Sequence, residues 1–341
     1  IVENNREIIN DIRNIIADKE IKVTYIPGNH DMLFTSAEIN SIFPGINQAR
    51  DSYGLGSYTP EDLPNSIIEH GHRYDFFCAP NHISTTEDNC DFLLPPGYFY
   101  ARISATSFIE NLRYYDDFVT DFTLISNTYS NKNYLEYLYK SICTFSLRKC
   151  PVMESNDEKF IYTLINGYKE NYCINDLLPD LLNEDKKDSN KLFKDITLTW
   201  NKRQIYNKVP VSISTEAAIK YSIFHSYFDN MAQIQYFKNP QSKKRIVIFG
   251  HTHCACMIIS NNSLDQKTIY ANCGSWLDKS SYPPSMTFTL LIPPKDKTSP
   301  NIDPKGPTTT ITIGAVNNTT NIGFKKFLVI GGVILSTNFS M

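Results

Sequence analysis

The isoleucines at 8, 9, 12, 15 and 16 repeat at the spacing of one helix face, while charged and amide residues fill the other. This predicts an amphipathic helix from about Asn5 to Ala17, leading into a strand over Ile21-Lys22-Val23-Thr24-Tyr25-Ile26. Alternation and β-branching favour that strand, and Pro27-Gly28 ends it. A second short strand, Ser66 to Glu69, runs into His70-Gly71-His72, and a third, Arg245 to Phe249, runs into Gly250-His251-Thr252-His253. Two more are expected near Thr268 to Asn272 and Met286 to Ile292. Three strands thus release histidines at their C-terminal ends, which is where an open α/β sheet builds a site.

Between Ala101 and about Gln241 the pattern turns helical. Ile161, Leu164, Ile165 and Tyr168 mark one helix; Ala218, Tyr221, Phe224, Phe228 and Met231 mark another, with Ser214 as its N-cap. This stretch separates two strands expected in one sheet, so it reads as an insertion or cap, and its many aromatics read as core. After Ile292 the prolines at 293, 294, 300, 304 and 307 resist helix and sheet alike and suggest a linker. The apolar run from Phe327 to Leu335 is nine residues, short of the roughly 20 a helix needs to span a bilayer, so a strand or tail is expected. The resulting organisation is a core in two parts, 1–100 and 243–292, a helical insertion over 101–242, and a Pro/Thr-rich linker with a short apolar tail over 293–341.

Composition narrows the class. With 41% hydrophobic and 20% charged residues, disordered, collagenous and coiled-coil readings fall away. The balance of 33 basic against 36 acidic residues, with no basic block, leaves no footprint for a nucleic-acid partner. Eight cysteines without a C-x-x-C pair argue against a structural zinc site and for a reducing compartment, so the cytoplasm is expected. Membrane association through the apolar tail is the weaker alternative. The chain opens on Ile1 and its first methionine is Met32, which suggests that it begins downstream of the gene start.

Gly28-Asn29-His30-Asp31 places an amide oxygen, an imidazole and a carboxylate in one tight loop. An asparagine oxygen suits a divalent cation, and a carboxylate-held imidazole suits an acid or an electrostatic stabiliser, although the same tetrapeptide could be an Asx-capped turn. Gly250-His251-Thr252-His253 offers two imidazoles on a loop whose kink Gly250 is expected to allow, an arrangement suited to two adjacent metal ions. His70-Gly71-His72 repeats the device, so five of the seven histidines lie in three loops; His82 and His225 read as insertion residues. Cys254 and Cys256 read as alternation along a buried strand, with soft ligation the lesser option. Ser275 lacks a nucleophile elbow, and Gly331-Gly332 lacks the lysine of a phosphate loop.

Taken together, Gly28-Asn29-His30-Asp31, His70-Gly71-His72, Gly250-His251-Thr252-His253 and, more weakly, Asn272-Cys273-Gly274-Ser275-Trp276 resemble the motifs of calcineurin-like metallophosphoesterases, in order and each after a strand. The resemblance covers about residues 1 to 100 and 243 to 292. It implies an α/β fold, the αββα sandwich of that family, with two divalent metal ions (Mn, Fe or Zn) at the strand ends. Asn29, His70 and His251 would then be ligands of one metal and His253 of the other. His30 would serve as acid or transition-state stabiliser, Asp31 as its partner, and His72 would sit near the substrate phosphate. The substrate would be a phosphorylated small molecule or another phosphoester. The family also opens with Asp-x-His and Gly-Asp-x-x-Asp motifs, and neither Asp-x-His nor Gly-Asp occurs in the chain. The expectation is therefore that the N-terminal part of the sandwich is missing and that hydrolysis is impaired in this chain. The alternative is a catalytically inactive scaffold of the same fold that serves protein interaction.

Overall fold

A computed structural model describes residues 3–51, 54–80, 95, 97–98, 161–162, 171–172, 199–223, 230–274, 287–292, 310–315, 327–330 and 333–337. The chain divides into two compact units, Ile1–His72 with His225–Met341, and Arg73–Phe224.

The first unit begins with α1 (Arg6–Asp18), β1 (Ile21–Tyr25), α2 (Ser36–Ile42), β2 (Asn47–Gln48), β3 (Ser57–Tyr58) and β4 (Ser66–Glu69). The second unit holds β5 (Ile161–Tyr162), β6 (Asn171–Tyr172), α3 (Trp200–Tyr206) and α4 (Thr215–Ile223). The first unit resumes with α5 (Asn230–Ala232), which runs into a π-helical turn over Gln233–Phe237. Then follow β7 (Ile246–Phe249), β8 (Cys256–Asn261), β9 (Lys267–Asn272), β10 (Thr287–Ile292), β11 (Thr310–Ala315), β12 (Phe327–Ile330) and β13 (Val333–Thr337). Helices and mixed sheets make this an α/β chain.

Both large sheets belong to the first unit. A six-stranded sheet has the order β11-β10-β12-β13-β1-β2, and a five-stranded sheet the order β3-β4-β7-β9-β8. In the latter β4, β7 and β9 are parallel neighbours, so their C-terminal ends open on one edge. β1 lies in the other sheet, antiparallel to β13 and parallel to β2, so the three histidine-releasing ends come from two sheets rather than one.

Side-chain alternation decides the layers. Val23 and Tyr25 of β1 cluster with Ile39 and Ile46, with Ile15 and Ile16 of α1 packed alongside. Ile9 is buried as the stripe predicts, whereas Ile8 stays 63% exposed. Ile26 and Leu291 of β10 share a second cluster with Ile68, Ile246, Ile248 and Ala271 of the five-stranded sheet. The two sheets therefore face each other across this core. On the outer side of the five-stranded sheet, the Tyr236 hydroxyl donates to the buried Glu69 carboxylate, and Gln233 Nε2 donates to Ser260 Oγ of β8 at 2.6 Å. The succession is helices, sheet, sheet, helix.

Three segments differ from the sequence expectation, and a fourth, the apolar tail, takes the strand form expected of it. Thr310–Ala315, in the expected linker, pairs along its whole length with β10, because Thr-Ile alternation after the prolines restores a strand pattern. The apolar tail forms β12 and β13, an antiparallel pair in which Leu328, Val329 and Ile330 face Leu335, Ile334 and Val333. Ile161 and Tyr162, expected in a helix, pair antiparallel with Tyr172 and Asn171 instead, while Leu164, Ile165 and Tyr168 of the same expected helix lie outside the described residues. Cys256 opens an edge strand that is exposed rather than buried, with Met257, Ile258 and Ile259 between 43% and 63% exposed. Most of the expected 101–242 insertion, the prolines between 293 and 307, Ser275, Trp276, His82 and His225 lie outside the described residues.

The second unit contributes its own buried polar clamp. Arg203 of α3 is fully buried, donates to Ala79 O at 3.3 Å and Phe76 O at 3.1 Å, and stacks on the Trp200 and Phe76 rings. Ser214 Oγ accepts from Ala217 N at the start of α4, as expected of an N-cap.

Candidate metal centre

The loop after β1 is tied down by its carboxylate. Asp31 Oδ1 accepts from Gly28 N at 2.6 Å, and Asp31 Oδ2 accepts from the Tyr25 hydroxyl, also at 2.6 Å. These bonds commit Asp31 to shaping the loop, where the resemblance gives it to the His30 ring. Burial raises the Asp31 pKa, against the lowering effect of the two hydrogen bonds and of His30. Burial, reinforced by the Asp31 charge, raises that of Tyr25, so the phenol remains a donor.

Held this way, Asn29 is buried and points its oxygen at two imidazoles from the other sheet. Asn29 Oδ1 lies 2.9 Å from His70 Nε2 and 3.2 Å from His251 Nδ1. The His70 ring centroid is 5.3 Å from that of His251 and 5.3 Å from that of His72, and His72 stands 6.3 Å from His251. Asn29, His70 and His251 are thus brought together, and His72 packs beside them, 1% exposed, as part of the inner cluster. His30 is exposed at the rim, and His253 is half-buried.

Two glycines make room for His70. A Cβ on Gly28 would meet His70 Cε1 at 3.1 Å and Nδ1 at 3.2 Å, and a Cβ on Gly250 would meet His70 Nδ1 at 3.3 Å. Gly250 therefore supplies close approach and not the kink expected of it. The kink falls on the histidines themselves, since His251 and His253 take φ of 68° and 61°. Side chains other than glycine seldom adopt that left-handed region, and where they do the position is commonly functional. Gly71, between His70 and His72, does use glycine's freedom, at φ 99°.

The electrostatics favour a neutral imidazole at His70 above all. Burial pushes the His70 pKa well below its ordinary value, and His72, His251, His30 and His253 add to the effect. His30 is lowered by partial desolvation and then by His251, with Asp31 opposing. A neutral imidazole is the form that ligates a metal. Asn29, His70 and His251, all of the first unit, each offer a metal-ligand atom to the same point.

No protein family, curated protein or solved structure matches the chain. Among the described residues, no helix is long and apolar enough to cross a membrane.

Proposed function

We propose that the protein is a metal-dependent phosphoester hydrolase of the metallophosphoesterase type, acting in the cytoplasm on a phosphorylated small molecule or another phosphoester. The observation that carries this reading is the convergence of Asn29 Oδ1 on His70 Nε2 and His251 Nδ1. Three donor atoms spaced 2.9 and 3.2 Å about a shared oxygen fit ligands that each sit about 2.0 to 2.2 Å from one dication. The helix–sheet–sheet–helix succession is consistent with the αββα sandwich, and parallel strands opening on one edge are consistent with a site there.

Asn29, His70 and His251 would hold one divalent ion, and His253 would contribute to a second. When bound, such ions supply a polarised phosphoryl oxygen and a water of lowered pKa. The chain's own part is to keep His70 neutral between Gly28 and Gly250, to fix Asn29 through Asp31 and Tyr25, and to present His30 at the exposed rim. As phosphorus accepts the water oxygen and the bond to the leaving oxygen breaks, His30, whose pKa is lowered, would stabilise the charge on that oxygen through its ring N–H, or give it a proton from its minor imidazolium form.

The test is titration of Mn²⁺ or Zn²⁺ into the chain by calorimetry, with bis-p-nitrophenyl phosphate hydrolysis followed alongside. Asn29→Ala and His251→Ala should weaken metal binding, whereas His30→Ala should lower turnover with metal content kept. A chain that binds neither ion refutes the reading, and one that binds metal without even the weak turnover expected of an impaired hydrolase favours the scaffold.

A further inference from the structure

We infer that Asn272 is a positioning residue that locks His251 into its ligand-presenting turn; this rests on the reading of His251 as a metal ligand. Thr252 N donates to Gly250 O at 2.8 Å, closing a three-residue turn with His251 at its centre and φ of 68°. This is the strained form of the γ-turn, which a side chain bearing a Cβ does not hold without outside help. The help comes from the neighbouring strand. Asn272, the last residue of β9, is the register partner of Phe249 and is fully buried. Its Nδ2 lies 2.7 Å from Gly250 O and 2.9 Å from Thr252 Oγ1, so one amide grips the turn on both sides of His251. Its Oδ1 accepts from Gly274 N at 3.0 Å, which fixes the amide orientation and keeps the nitrogen toward the turn. Tyr270 Oη, 3.0 Å away, closes the same pocket.

The alternative to this turn is a His251 with negative φ. That would swing the imidazole away from Asn29 Oδ1, now 3.2 Å from its Nδ1. An aspartate at 272 would set a carboxylate oxygen against the Gly250 carbonyl, which can only accept, and so would release that side of the turn while keeping the shape of the residue, even though the Thr252 hydroxyl could rotate to donate to it.

The experiment compares the full chain with Asn272→Asp and with Thr252→Val, in two readouts. In metal-free protein, exchange of the Thr252 amide should speed up at least about tenfold in Asn272→Asp, while β7 and β9 amides keep their protection. In Co²⁺ titrations the affinity should fall on the order of tenfold, as for other supports of a ligand, and the visible spectrum of the bound ion should change. Thr252→Val should move both in the same direction by less, and it decides the matter if Asn272→Asp does not fold. Wild-type exchange at Thr252 together with wild-type Co²⁺ affinity in the variants overturns the inference. A wild-type chain that binds no Co²⁺, while Asn272→Asp still frees the Thr252 amide, sinks the metal reading and leaves the lock standing.

Discussion

Replacing Gly28 by alanine is the sharpest probe of the centre, because the added methyl meets the site and little else. It would lie 3.1 Å from His70 Cε1, 3.2 Å from His70 Nδ1 and 3.1 Å from Asp31 Oδ1. Ordinary carbon contacts begin near 3.4 Å, so each neighbour must yield by about 0.2 to 0.3 Å, and the His70 ring is squeezed between the new methyl and Gly250. Overpacking of this kind costs about 1 to 3 kcal/mol when it cannot relax. Here the ring can move, so the cost should appear as a misplaced Nε2 and a metal Kd weakened about 10- to 100-fold, or about 1.4 to 2.7 kcal/mol. Gly250→Ala brings a single contact at 3.3 Å to the same ring and should weaken binding less. Gly54→Ala serves as the contrast: its Cβ would fall 2.4 Å from Met32 O at φ 72°, so it should destabilise the unit as a whole. Calorimetric Zn²⁺ titration and urea unfolding of the three variants separate the cases. If Gly250→Ala harms metal binding more than Gly28→Ala, or if Gly28→Ala lowers stability without touching affinity, the cradle around His70 is wrong.

Other outcomes follow from the same contacts. Tyr25→Phe removes the 2.6 Å bond to Asp31 and should cost about 1 to 3 kcal/mol in urea unfolding, with weaker metal binding as the Asn29 loop loosens. Arg203→Met leaves the Ala79 and Phe76 carbonyls without this donor and should lower stability by about 2 to 3 kcal/mol, read as earlier proteolytic cleavage within Arg73–Phe224. The metal-free chain should lose stability between pH 7 and 5: His70 binds its proton near 6.5 when unfolded but well below that when folded, so the unfolded state gains protons first as pH falls. Asp31, whose pKa is raised, acts oppositely and blunts the loss, whereas His30, whose pKa is lowered, adds to it, and thermal melts across pH 5 to 7 read the net effect. Ile259→Lys on the exposed edge strand should reduce aggregation, measured by light scattering, without changing metal affinity.

Periodicity carried the fold where a segment has one clear environment. α1, β1, β4, β7 and β9 fall within a residue or two of their expected ends, because each has a single apolar face or is buried on both. Short elements were less legible. α2 is announced only by its capping box, in which Thr35 Oγ1 accepts from Glu38 N while the Glu38 carboxylate accepts from Thr35 N. β2 and β3 are two residues each and carry no period at all. Ile161 and Tyr162 show the opposite failure: four apolar residues at helical spacing outweighed the strand preference of the Ile-Tyr pair, which faces Tyr172 and Asn171.

Within the centre, residues with chemistry in their side chains were visible, whereas the backbone-holding jobs of others, named or not, were not legible. Asn29, His30, His70, His72, His251 and His253 declare themselves by type and by position after strands. Tyr25 and Asn272 act through groups whose partners are set by register, the one reaching Asp31 along its own chain and the other reaching Gly250 O and Thr252 Oγ1 from the adjacent strand. A sequence cannot show a strained turn, because His251 at φ 68° is the same letter as a relaxed histidine. Nor could it assign Gly250 its job: glycine before His-x-His suggests freedom to turn, whereas the fold spends the missing side chain on the approach of His70 and places the strain one residue later. Strain placed on a ligand must be balanced by a neighbour, so a left-handed histidine at a strand end directs attention to the residue that grips it, and here that residue is Asn272.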